Sequence, residues 1–180
     1  ESLLRWQDEK LGMVRPDEIV MVAEHLGLMP TLTQWILNAS LREFAKLIAL
    51  GVPGSISINI TASNLLDREL RAAIQDALTL WQVPPQRVVL EITESGLIGN
   101  LDDALLAMHA LKRLGCKLAL DDFGTGYSSL SYLKRLPIDE LKIDRSFILT
   151  MRESAKDAGI VRTIIELAHL LELVVVTEGV

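Results

Sequence analysis

The 180 residues carry 24 acidic against 18 basic side chains, a formal charge of -6, and 49% hydrophobic residues. That is enough apolar material for one buried domain and too much for a disordered chain. An acidic balance disfavours a general nucleic-acid or anionic-lipid surface, because neither counterion release nor lipid attraction rewards it.

The lone cysteine, Cys116, excludes a disulfide framework and a Cys-based zinc site, and reads as a small core residue in a reducing, cytoplasmic compartment. No apolar run approaches the roughly 18 residues needed to cross a bilayer, so no membrane segment is expected in this chain. Any tether to an inner membrane would lie outside it. The opening "ESLLRW" and the closing "VVVTEGV" fall inside structural patterns, so both ends are expected to be cut from a longer protein.

In chain order, a partial strand is expected at 1–6. A helix follows over 16–28, opened by Pro16 with Asp17 and Glu18 in its first turn, then another over 31–50 closed by Gly51. The run "SISINI" at 55–60 predicts a strand, and 63–81 a helix. The strand "RVVLEI" at 87–92 leads to a helix over 101–114, capped by Asn100 and closed by Gly115. Next come "KLALD" at 117–121, a short helix around 128–135, "ELKI" at 140–143, a helix over 154–171 and "LVVVT" at 173–177.

No linker or charge block interrupts the pattern, so residues 1–180 read as one domain. Alternating strands and helices imply an α/β fold with parallel strands and right-handed crossovers. No G-x-G-x-x-G follows a strand and "DDFGTGYSS" lacks the lysine of a P-loop, so a nucleotide-binding open sheet loses its usual marker. The remaining choice is an open sheet or a β/α barrel, and since such barrels run to about 250 residues a barrel here would be truncated at one or both ends.

Barrel chemistry sits at the carboxyl ends of the strands, and here those ends are polar: Asn59, Glu91, Asp121, Lys142 and Glu178. The two-residue period puts Ser55, Ser57 and Asn59 on one face, as it does Ala119 with Asp121, and Val174 and Val176 with Glu178. One strand-end carboxylate is commonly a helix cap, but five polar strand ends together imply a pocket. Converging carboxylates must be protonated, paired or metal-bound, and Lys142 alone cannot balance Glu91, Asp121, Asp122 and Glu178.

Oxygen donors from Asp, Glu and Asn suit magnesium or manganese. Zinc is disfavoured, because His25, His109 and His169 lie in separate helical segments. Adjacent Asp121 and Asp122 would suit two ions clamping a phosphoester displacement. A Schiff-base role for Lys142 is the alternative, but its carboxylate neighbours would keep it charged, so it more readily orients a water or steadies a phosphate.

The residues also carry a resemblance. "ESLLRW" resembles the E-x-L-x-R opening of the EAL domain family, bacterial cyclic di-GMP phosphodiesterases, with Ser2 where alanine is commonest. "NITASNL", "EITES", "DDFGTGYSSL", "LKIDRSF" and "TEGV" are similar to the family's remaining motifs, in family order. The resemblance implies a TIM-like β/α barrel whose first strand is antiparallel, and hydrolysis of cyclic di-GMP to linear pGpG with magnesium or manganese.

Carried over by motif, Glu1, Asn59, Glu91 and Asp121 would hold one ion, and Asp121, Asp122 and Glu178 the second. Lys142 would position the attacking water, and Glu94 would hold the "DDFGTGYSSL" loop. Leu3, Arg5 and Asp144 would contact substrate, while Arg135 and Arg145 are either further phosphate contacts or solvated surface groups. The family's strand before E-x-L and its Gln-bearing segment after E-G-V are absent from these residues. The resemblance further implies a homodimer and covalent linkage to GGDEF, PAS or receiver domains. Beside the enzyme stand a cyclic di-GMP receptor without turnover and, more remotely, an aldolase- or enolase-like barrel.

Overall fold

In the computed structural model, which describes residues 1–97, 101–125 and 130–177, the N-terminal segment lies against the first sheet strand rather than forming a strand of its own. Ser2 makes a single parallel bridge to Ile58, its N–H donating to Ser57 O at 2.8 Å. Pairing resumes only in a hairpin that the sequence reading does not anticipate, β1 (Trp6–Asp8) against β2 (Gly12–Val14). Asp8 builds its turn: Oδ1 accepts from Lys10 N at 2.8 Å and Leu11 N at 3.0 Å, the local side-chain capping typical of Asx turns.

Helices α1 (Pro16–His25) and α2 (Met29–Ala49) follow. The chain then alternates β3 (Ile56–Asn59), α3 (Ala62–Leu65), α4 (Leu70–Trp81), β4 (Val88–Thr93) and α5 (Leu101–Arg113). After these come β5 (Lys117–Phe123), α6 (Leu130–Leu133), β6 (Glu140–Ile143), α7 (Arg145–Thr150), α8 (Ala155–Leu170) and β7 (Val174–Thr177).

The helix expected over 63–81 is two helices. Thr61 Oγ1 accepts from Asn64 N to cap the first, and Asp67 Oδ1 takes Glu69 N at 3.0 Å, offering the backbone an alternative to helix at the break. Helix α7, also unanticipated, starts because Asp144 caps it by accepting from Ser146 N at 2.9 Å. The expected cap at Asn100 lies outside the described residues.

Strands β3 to β7 form one parallel sheet in sequence order, a β/α arrangement that matches part of a TIM-like barrel. Within the described residues every pairing in this sheet is parallel, so the antiparallel first strand that the resemblance implies is not among them. The sheet's two faces separate by alternation. Ile58, Leu90, Ile92, Leu118, Leu120, Leu141 and Ile143 are fully buried and pack with helix residues such as Leu37, Leu41, Ile74, Met108 and Leu111 in one core. The opposite face carries Ser57, Asn59, Glu91, Ala119, Asp121 and Lys142, the small or polar members of each alternation.

Candidate active site

Three of these opposite-face residues meet under cover. Lys142 Nζ lies 2.8 Å from Glu91 Oε2 and 3.4 Å from Asp121 Oδ2. Parallel registry brings them together: Glu91 pairs with Ala119 on β5, and Ala119 with Glu140 on β6, so one further alternation aligns Asp121 with Lys142. Lys142 is 4% and Glu91 3% exposed, which makes this a buried ion cluster rather than a surface pair. Burial is the main influence on Glu91 and raises its pKa; the Lys142 ammonium and the Ser57 hydroxyl pull it back down.

Asp122 escapes the strand's alternation. Between Leu120 and Phe123 the β5–β6 registry shifts, and Asp122 takes φ 54, a left-handed conformation rare outside glycine, asparagine and aspartate. The bulge re-aims Asp122, so neighbouring aspartates serve one region: Asp121 reaches Lys142, while Asp122 lines a cavity of about 1040 Å³ with Glu1, Leu3, Arg5, Asn59 and Thr93. On its lining Asn59 Nδ2 donates to Glu1 Oε1 at 3.0 Å, which leaves the amide oxygen as the group able to accept.

Glu94, 1% exposed, begins the 3-10 turn Glu94–Leu97 directly after β4, and its Oε2 accepts from Gly124 N at 2.9 Å. Gly124 belongs to the "DDFGTGYSSL" segment, of which residues 126–129 lie outside the described residues. Asp144 sits close by but is engaged in capping: the Ser146 hydroxyl, the strongest influence, holds its carboxyl below the usual range, helped by Ser146 N–H, the Asp122 side chain and Arg145. Arg135 is a surface residue, its Nη2 3.0 Å from Asp102 Oδ1, and Arg145 is exposed. Glu178 lies outside the described residues. Thr93 on the cavity wall is a contributor that sequence reasoning did not name, and Ser57, beside Glu91, is one it placed on a face without giving it a role. Ser57 had a signal, since it shares the inward face with Asn59.

The donor set can be tested against a hard cation. Among the described residues no three Asp, Glu, His or Cys groups converge as a ready ligand cluster. Lys142 bridges two of the carboxylates, and Asn59, whose amide oxygen is a hard donor, stands outside such a set. Glu91 Oε2 is nonetheless a buried acceptor that, among the described residues, has no well-directed hydrogen bond and faces the Lys142 ammonium. A buried oxygen of that kind beside Asp121 suits a divalent cation in chemistry, and the residues fit.

A parallel β/α sheet that carries carboxylates, an asparagine and a buried lysine at its carboxyl edge defines a barrel-type domain with an acidic strand-end site. The EAL domain family model matches residues 1–180, and the chain belongs to that family. It is 37% identical over 181 residues to the bifunctional diguanylate cyclase/cyclic di-GMP phosphodiesterase MucR of Pseudomonas aeruginosa, covering all of this chain and 26% of that protein. It is 36% identical over 180 residues to the cyclic di-GMP phosphodiesterase RocR of the same organism, covering all of this chain and 46% of that one. A solved structure of the PaMucR phosphodiesterase in complex with c-di-GMP superposes at TM-score 0.92 with 37% identity, over 99% of this chain and 72% of that chain. The chain spans about a quarter of the length of the first curated relatives it matches.

Proposed function

We propose that this domain hydrolyses cyclic di-GMP to linear pGpG with two divalent cations, magnesium or manganese. The observation that carries the reading is the buried Glu91–Lys142–Asp121 cluster, whose neighbours Asn59, paired with Glu91, and Asp122, next to Asp121, line a cavity with Glu1. The relatives named as cyclic di-GMP phosphodiesterases, and the c-di-GMP complex of one of them, support it.

Glu1, Asn59, Glu91 and Asp121 would hold one ion, and Asp121, Asp122 and Glu178 the other. When bound, such ions polarise a phosphoryl oxygen and make water a better nucleophile. The chain's own groups do the rest. Lys142, paired with two carboxylates, orients the attacking water through Nζ. Arg5 offsets phosphate charge and Leu3, half exposed on the cavity wall, gives a base an apolar contact. Glu94 fixes Gly124 and with it the turn that aims Asp122; Asp144, in contact with Asp122, stands on the substrate side. The domain would work in the cytoplasm as a homodimer, as one part of a longer regulator with a GGDEF, PAS or receiver domain.

A cyclic di-GMP receptor without turnover is the second reading, favoured by Lys142 already balancing Glu91 and Asp121. The deciding experiment follows pGpG formation by the intact protein with magnesium, with manganese and with chelator, beside Asp121→Asn. Metal-dependent product that the variant loses supports the enzyme; tight cyclic di-GMP binding with no product under any metal makes it a receptor.

A further inference from the structure

We propose that Tyr132 is a positioning residue of this site, acting through the 3-10 turn Glu94–Leu97, which serves as a keystone under the carboxyl ends of β3, β4 and β5. The turn continues β4 without a spacer, and both its ends are buried: Glu94 and Leu97 are each 1% exposed. Its first residue holds β5, through Gly124 N–H donating to Glu94 Oε2 at 2.9 Å. Its middle is wedged against the start of α3. A side-chain carbon added at Gly96 would stand 3.1 Å from Thr93 Oγ1 and 3.5 Å from Ala62 Cβ, so the turn lies close against the end of β4 and the start of α3.

The last carbonyl of such a turn has no partner within it, and a buried acceptor left unmade is costly. Tyr132 supplies the partner. Its hydroxyl donates from α6 to Leu97 O at 3.1 Å, while its ring packs against the core. The three contacts fix the turn at its front, middle and back. Glu94 and Tyr132 are therefore coupled: losing the hydroxyl frees the Leu97 end, lets Glu94 drift, and loosens Gly124 beside the Asp122 bulge. Tyr132 touches no reacting group in this scheme, and the sequence motif that contains Glu94 does not point to it.

The catalytic part of this inference rests on the phosphodiesterase reading, so the test has one arm that does not. In the full-length protein, Tyr132→Phe keeps the ring and removes only the hydroxyl. Amide exchange of Gly124 in that variant should speed up about five- to tenfold, the factor that goes with losing one ordinary hydrogen bond, at an unfolding temperature within a few degrees of wild type. In cyclic di-GMP hydrolysis kcat should fall by a similar factor, about five- to tenfold, with KM little changed. With Glu94→Leu already in place, which removes the acceptor for Gly124 N–H, adding Tyr132→Phe should change either readout by less than about twofold, the non-additivity expected of groups acting in one chain of contacts.

Unchanged Gly124 exchange in Tyr132→Phe, or a fully additive double variant, overturns the proposal. Should the wild-type protein show no hydrolysis, the functional reading fails while the exchange measurement still decides the role of Tyr132.

Discussion

Lys142 Nζ stands 2.8 Å from Glu91 Oε2 with both residues more than nine-tenths buried. Buried pairs recover their desolvation cost only through each other, so removing one partner leaves an uncompensated charge. Replacing Lys142 by methionine should therefore destabilise the chelator-treated protein by about 3 kcal/mol, read from urea unfolding. Because a divalent cation would neutralise the same carboxylates, magnesium should return much of that loss. A Lys142→Met protein as stable as wild type in chelator would mean that Glu91 and Asp121 are not held ionised by this lysine.

The left-handed backbone at Asp122 separates two roles that a single substitution would confuse. Asparagine tolerates φ 54 almost as readily as aspartate, whereas alanine does not. Asp122→Asn should keep the unfolding temperature and lose hydrolysis through its missing charge. Asp122→Ala should lose hydrolysis and also about 1 kcal/mol of stability. Equal stability in the two variants would show that the bulge is imposed by its surroundings rather than by the residue.

Much of this site was legible because strand ends are. Position at a strand's carboxyl end picks out Asn59, Glu91, Asp121 and Lys142 without coordinates, and the parallel pairing of β3 to β7 agrees with the strand–helix alternation. What the period could not give is how Asp122 also reaches the cavity, since that needs a bulge and a positive φ, features set by the β6 neighbour rather than by local pattern. The hairpin at Trp6–Val14 was missed for a related reason: it holds three residues a side, too few to show a period, and its signal is the Asp8 turn. Tyr132 was illegible because its meaning lies in a carbonyl 35 positions away.

Gly124 has a steric reason to be glycine as well as a conformational one. It sits at φ 101, and a side-chain carbon there would come within 2.9 Å of the Phe147 ring. Gly124→Ala should cost about 2 kcal/mol from backbone strain and overlap together. Adding Phe147→Leu should recover only the overlap, so the double variant should remain less stable than Phe147→Leu alone by roughly 1 kcal/mol. Full recovery in thermal unfolding would assign the whole penalty to the ring.

Cys116 reports on unfolding rather than on chemistry. Its side chain is 2% exposed at the start of β5, and burial pushes its thiol up to about 11, with Lys112 opposing weakly. At about pH 8 the folded protein should hold a thiolate fraction of roughly one in a thousand, on top of steric exclusion. A raised thiol value means that the contribution of Cys116 to stability is intact below the ordinary thiol range and is lost as pH rises through about 11. Between about pH 6 and 8 this residue therefore adds no slope to the stability curve. Disulfide-exchange reagents should label native protein slowly, at a rate that climbs with urea in step with the opening equilibrium. Stoichiometric labelling within seconds in native buffer would place Cys116 outside the core.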